Sequence, residues 1–247
     1  MTKHLVIPDT QVKPNQPIDH LRWAGLYAVD KKPDVIIHIG DHFDMPSLSA
    51  WDIGKKSFEG RRYTADIEAG IKGMEAFIKP IRDEQSRLRQ HKKKQWNPRL
   101  VFTIGNHEQR IERAIEADPK LDGLIGYDDF KLDEFGFEVY DFLDVAVIDG
   151  IAYSHYFTSG IMGRPVSSAR NMLSKKMMSC VMGHVQDRDI AYGRRADGQN
   201  ILGLFSGIYY QHDADYFTAQ THGSWRGIWI LNEVNDGRRA ELPVPMN

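Results

Sequence analysis

Residues 35–44 read Val35-Ile36-Ile37-His38-Ile39-Gly40-Asp41-His42-Phe43-Asp44. Four β-branched apolar residues around one histidine predict a short, buried strand. Gly40 suits the point where the chain turns sharply off that strand. Directly beyond it stand groups able to hold protons or metal ions.

Working outward, His4 to Ile7 predicts another buried strand, stopped by Pro8. Pro17 suits the first turn of a helix that points Ile18, Leu21, Ala24 and Ala28 or Val29 inward, and Pro33 ends it. A strand, a helix and a strand in that order make a βαβ unit, so the two strands should run parallel. Leu100 to Ile104 predicts a third buried strand, followed by Gly105 and a helix to about Ala117. Between the second and third strands, Ile67, Ile71, Met74, Ile78, Ile81 and Leu88 recur at helical spacing over residues 64 to 91. Pro80 should kink or divide that helix. Its basic end, residues 87 to 94, reads as a solvated terminus whose cations suit the helix dipole, or as a contact for a phosphate backbone.

Residues 118 to 140 mix acidic and apolar side chains without a period, which predicts loops and a short helix. Strands are expected at 145–148, 151–154, 179–182 and 201–205, with a helix over 167–177. Asn235-Asp236-Gly237 between two apolar runs, 227–234 and 239–244, is a hairpin signal.

The 247 residues carry a formal charge of −2, with 41% hydrophobic and 27% charged side chains. That composition suits a soluble domain with a core and excludes a chain that is disordered throughout. The near-neutral balance gives no global attraction to nucleic acid or membrane. One cysteine, Cys180, excludes an intrachain disulfide and a thiolate-only metal cluster, and fits a reducing compartment. With no signal-peptide pattern and no apolar run of membrane-spanning length, a cytoplasmic protein of one domain over residues 1–247 is expected.

Polar residues fall at the ends of the apolar runs. Asp9-Thr10-Gln11 follows the first, Gly40 to Asp44 the second, and Gly105-Asn106-His107-Glu108 the third. His155 follows residues 151–154, and Gly183-His184-Val185-Gln186 follows 179–182. In α/β sheets the carboxyl ends of strands line the ligand crevice, so these distant residues should converge. Carboxylates, an amide oxygen and imidazoles together suit Mn²⁺, Fe²⁺ or Zn²⁺.

In that order, these segments resemble the calcineurin-like metallophosphoesterases. The matched positions run from 9 to 186, about three-quarters of the chain; each motif is weak singly, and the five in order are specific. The resemblance implies an α/β sandwich of two mixed β-sheets flanked by helices, with a two-metal site at one end. By the family pattern Asp41 bridges both ions, Asn106, His155 and His184 complete one shell, and Asp9, Gln11 and Gln186 hold the other ion. His107 would face the substrate phosphate and leaving group without ligating metal. Asp44 and Glu108 would orient their neighbours. The family usually has histidine at positions 11 and 186. Glutamine is a weaker, harder donor, so the ion held by Asp9 should bind loosely and favour Mn²⁺ or Mg²⁺ over Zn²⁺, and a single-metal enzyme is the alternative.

The implied reaction is hydrolysis of a phosphate ester by water that the ions activate, with His107 stabilising the transition state or protonating the leaving oxygen. Phosphodiester substrates, nucleotide or nucleic acid, are favoured, because the GDHFD segment is similar to that of double-strand-break repair nucleases and residues 87–94 are basic. A phosphomonoesterase like the protein phosphatases, or a non-catalytic binding protein with one decayed metal site, are the rivals. Arg164, in a glycine-flanked loop after the His155 strand, is a candidate phosphate contact, and Arg170, on the following helix, is a further candidate. His212 and His222, with Asp213 and Asp215, either line the pocket or form a bonded loop. The aromatic group Tyr209, Tyr210, Tyr216, Phe217 and Trp225 either stacks bases or closes a core. His4, His20, His38, His42 and His91 are expected to be ordinary strand or surface residues.

Overall fold

The computed structural model describes residues 1–212 and 224–246. Two mixed β-sheets with helices packed on them make an α/β architecture. The first sheet is built on β1 (Thr2–Ile7), β2 (Val35–His38), β3 (Arg99–Thr103) and β4 (Phe137–Tyr140), all parallel. The hairpin of β10 (Gly227–Asn235) and β11 (Arg238–Pro245) joins it antiparallel to β1. In the second sheet β6 (Ile151–Ser154), β7 (Ser179–Met182) and β9 (Asn200–Ser206) are parallel. They lie between the antiparallel edges β5 (Ala146–Ile148) and β8 (Arg188–Arg194).

Strand periodicity explains the layers. Leu5 and Ile7 of β1, Ile36 of β2 and Phe102 of β3 pack in one apolar cluster with helix α1 (Asp19–Lys31) and helix α2 (Tyr63–Gln90). The intervening Val6, Val35, Ile37 and Val101 pack instead against Ile151, Tyr153, Val181 and Leu204 of the other sheet. Ala152, Cys180, Met182 and Phe205 face away from that middle layer, toward helix α4 (Ala169–Lys176). Both faces of the central strands are therefore dry, which is why they read as unbroken apolar runs.

Several expectations are corrected. Pro17 lies just outside α1, whose cap is Ile18. Pro80 does not divide α2, which runs unbroken for 28 residues. The N–H it forfeits is outweighed by burial of Met74, Phe77, Ile78 and Ile81. Residues 118–140 contain β4 as well as two short 3₁₀ turns. The hairpin closes with Asp236 and Gly237 between paired Asn235 and Arg238, both central residues at positive φ, as a type I′ turn demands.

Among the described residues no helix is long and apolar enough to cross a membrane. His4, His20, His38 and His42 are all buried, so the surface reading holds for His91 alone.

Candidate functional site

The parallel strands of both sheets carry their polar termini to one end of the sandwich. Asp9 lies beyond β1, Asp41 beyond β2, Asn106 beyond β3, His155 beyond β6 and His184 beyond β7. Asp41, His155 and His184 each offer a donor atom within 4.8 Å of the others. The Asn106 carbonyl oxygen lies between the two imidazoles, 3.0 Å from His155 Nε2 and 2.6 Å from His184 Nδ1. His155 Nδ1 donates to the Ile39 carbonyl at 2.9 Å, which fixes the ring and turns Nε2 toward Asp41 Oδ2 at 3.3 Å. This is how a metal-binding histidine is usually oriented.

Asp9 joins from the side. Its Oδ1 accepts from the His184 amide at 3.0 Å, and its buried Oδ2 has no hydrogen-bond partner among the described residues. An orphaned carboxylate oxygen in a dry site is costly unless a cation or proton meets it. Three oxygen donors and two imidazoles converging there are a donor set that suits a divalent metal ion.

The backbone is strained where these groups are presented. Gln11, Asp41 and His184 all have positive φ, at 37°, 49° and 65°. Such conformations cost on the order of 1–3 kcal/mol each and persist when surroundings over-determine them. Glu108 supplies much of that restraint: its buried carboxylate accepts from the amides of Gly105, Asp41, His42 and Phe43 at 2.6–2.9 Å. His42 adds to it by bonding Thr10 at 2.7 Å and the Gly70 carbonyl at 2.9 Å. Of the three glycines expected to turn the chain, Gly40 does so at φ 88°. Gly105 and Gly183 instead make room. A Cβ on Gly105 would stand 2.2 Å from Asp41 Oδ1, and one on Gly183 2.3 Å from Asp9 Oδ1.

The electrostatics follow from crowding charges out of water. Burial opposes ionisation of Asp41, yet the His107 and His155 imidazoles hold its carboxyl well below the usual range. Burial pushes Asp9 up to about 7, with Asp41 adding to the effect and His155 opposing it. His155 is raised to about 10 because the Asp41 charge outweighs its burial, and His184 is lowered to about 4 by burial and by His155. One carboxylate held ionised by neighbouring imidazoles and one pushed toward protonation by burial show how strongly these groups act on one another.

His107 stands at the rim. Its Nδ1 lies 2.6 Å from Asp44 Oδ1, and its amide donates to Asp41 Oδ1 at 2.9 Å. Arg110, on helix α3 (Arg110–Ala117), places one guanidinium nitrogen 2.6 Å from the Asp44 carbonyl and the other 3.3 Å from His107 Nε2. A cleft of about 1140 Å³ opens here, lined by Gln11, Asn106, His107 and Arg110 and by several of residues 46 to 66.

Not every candidate arrives. Arg164 is exposed and does not line the cleft, nor does Arg170. Tyr209 and Tyr210 are buried and Trp225 packs against Trp229 at 4.8 Å, so these three close a core. His222, Asp213, Asp215, Tyr216 and Phe217 lie outside the described residues; His212 stacks on Tyr210. The basic residues 87–94 sit at the far end of α2, whose opposite end lines the cleft. At about 1.5 Å per residue that is roughly 40 Å away, so they cannot serve the same ligand phosphate. Arg110 was missed because a lone arginine four residues past Asn106 has no pattern; only the helical turn brings it back to His107.

No protein-family model matches the chain. It is similar to the Gene 54 protein of Mycobacterium phage L5, 26% identical over 199 residues that make up 77% of this chain and 71% of the phage protein. That name states no activity, so function rests on the site's own chemistry.

Proposed function

We propose that the protein is a metal-dependent phosphoesterase of the calcineurin-like type, acting on phosphodiesters. The observation that carries this reading is the convergence of Asp41, His155 and His184 with Asn106, which borders the cleft that His107 also lines, beside an Asp9 oxygen without a hydrogen-bond partner among the described residues. Asp41, Asn106, His155 and His184 would hold one divalent cation, and Asp9, Gln11, Asp41 and Gln186 a second, weaker one, with Mn²⁺ favoured. Such ions acidify water and offset the charge on phosphoryl oxygens.

The chain's own groups supply the rest. His107, whose cationic form Asp41 and Asp44 favour, donates a proton to the leaving oxygen from its Nε2 side. Arg110 at 3.3 Å from that nitrogen neutralises a phosphate oxygen next to it. Glu108 holds the loop of Asp41 in register.

The glutamines at 11 and 186 favour a second reading, a binding protein that kept one metal site. Assaying metal-free protein with added Mn²⁺ on bis-p-nitrophenyl phosphate and on p-nitrophenyl phosphate separates the readings. Faster cleavage of the diester supports the proposal, faster cleavage of the monoester replaces it with a phosphomonoesterase, and no turnover of either leaves the binding protein.

A further inference from the structure

Much of the cleft's lining besides His107 comes from residues 46 to 62, a run of three short 3₁₀ turns at Pro46–Leu48, Ala50–Asp52 and Lys56–Phe58. One side chain braces it. The Arg61 guanidinium donates to the Pro46 carbonyl at 2.9 Å, to Asp52 at 2.8 Å and to the Ser57 carbonyl at 2.9 Å. Ser47 is tied in turn to the buried Asp66 of α2 at 2.8 Å. This held segment presents Trp51 into the cleft with 84% of its surface exposed. A large indole left in water beside a polar cleft gains nothing for the fold, since its apolar area is unburied. It gains a great deal if a flat apolar surface is laid on it.

The charges around it narrow the ligand. Lys13, Lys55, Arg61, Arg62 and Arg110 line the cleft, with Lys13 and Arg110 paired with Asp44, and Lys55 and Arg61 with Asp52. Against them stand Asp44, Asp52, Glu59 and Asp66. The balance is near neutral, which suits a few phosphates and gives no polycationic track for a long duplex. At about 1140 Å³ the cleft exceeds the roughly 300–1,000 Å³ that holds one small ligand. A ligand with phosphates at intervals and an exposed π face between them is a nucleic acid whose bases are unpaired.

We propose that the cleft binds a single-stranded nucleic acid segment, with one base stacked on Trp51 and a neighbouring phosphate at Arg110 and His107. The proposal rests on the phosphodiester reading for its chemistry, but its binding can be measured without turnover. The probe is a fluorescein-labelled phosphorothioate hexathymidylate, whose linkages resist hydrolysis, titrated by anisotropy in the presence of Mn²⁺ with wild type, Trp51→Ala and Trp51→Phe.

Stacking is worth about 1–3 kcal/mol per base, so Trp51→Ala should weaken binding roughly 5- to 150-fold, while Trp51→Phe stays within about threefold of wild type. A phosphorothioate hairpin whose G·C-rich stem stays paired under the assay conditions should bind at least about tenfold more weakly than the single strand. Trp51 is exposed, so neither substitution threatens folding. Equal binding by all three proteins, or a hairpin bound as tightly as the single strand, or no binding by wild type, overturns the proposal. Trp51-dependent binding without any diester hydrolysis overturns only the enzymatic reading. Hydrolysis with binding indifferent to Trp51 overturns only this inference.

Discussion

His107 is gripped at both ring nitrogens: Nδ1 lies 2.6 Å from Asp44 Oδ1, and Nε2 faces Asp41 Oδ2 at 3.7 Å. Burial disfavours the imidazolium, but the two carboxylates outweigh it and raise the histidine above its ordinary 6.5. The acid form is thus present at neutral pH and is lost as pH rises through that raised value.

On the phosphoesterase reading, His107→Ala should lower turnover by about 10²–10⁴-fold while metal content stays at the wild-type level. Asp44→Asn removes one of the groups raising His107, so the alkaline limb of the rate profile should move to lower pH. A pH–rate series with metal counted by mass spectrometry checks both; an unmoved limb would show that His107 is not the titrating acid.

Metal addition should stabilise the folded chain, because the buried Asp9 and Asp41 carry charges that only the folded site brings together. At a hundredfold excess over Kd, binding contributes about 2.7 kcal/mol, which raises Tm by several degrees. His155→Ala should abolish most of that rise. Titration should find one tight ion and one weak one, and the double change Gln11→His with Gln186→His should tighten the second for Zn²⁺. Two equally tight zinc ions in wild type would contradict the assignment.

Glu108→Gln exchanges a carboxylate accepting four amides for a side chain with one acceptor oxygen, at unchanged size. A cost of about 3 kcal/mol is expected from the amides left unpaired. The loop of Asp41 should loosen with it, so metal affinity should fall alongside Tm in thermal and titration measurements.

On the far side of the molecule, Glu84 is gripped by Arg87 at 2.6 Å and by Lys32, which lies over the Trp96 ring at 4.4 Å. These bonds lower Glu84 from 4.5 to about 2. A depressed carboxylate contributes stability above its unfolded value that is lost as pH falls through the folded one. Glu84→Gln should therefore cost about 1 kcal/mol at pH 7, and the difference from wild type should vanish between about pH 4.5 and 2. Chemical denaturation at several pH values reads this directly.

Legibility in the sequence tracked burial. β1, β2, β3, β6, β7 and β9 are apolar on both faces because each lies between the opposite sheet and a layer of helices, and such runs announce themselves. The edge strands β4 and β8, with sequences Phe-Glu-Val-Tyr and Arg-Asp-Ile-Ala-Tyr-Gly-Arg, are half in water and become strands by pairing with β3 and β9. Their local composition carries no comparable signal. The same contrast separates Asp41 and His184, found at the ends of apolar runs, from the half-buried Arg110 and the exposed Trp51, which stand in no such run.

The order of elements and the polar groups at the strand ends follow from the linear chain, since period and punctuation are local properties. Which strand pairs with which, that Gly105 and Gly183 yield space to carboxylates, and that an exposed indole and His107 line the same cleft, were decided only when the two sheets closed on each other. Contacts between residues a hundred positions apart depend on that packing, and no window of sequence contains them.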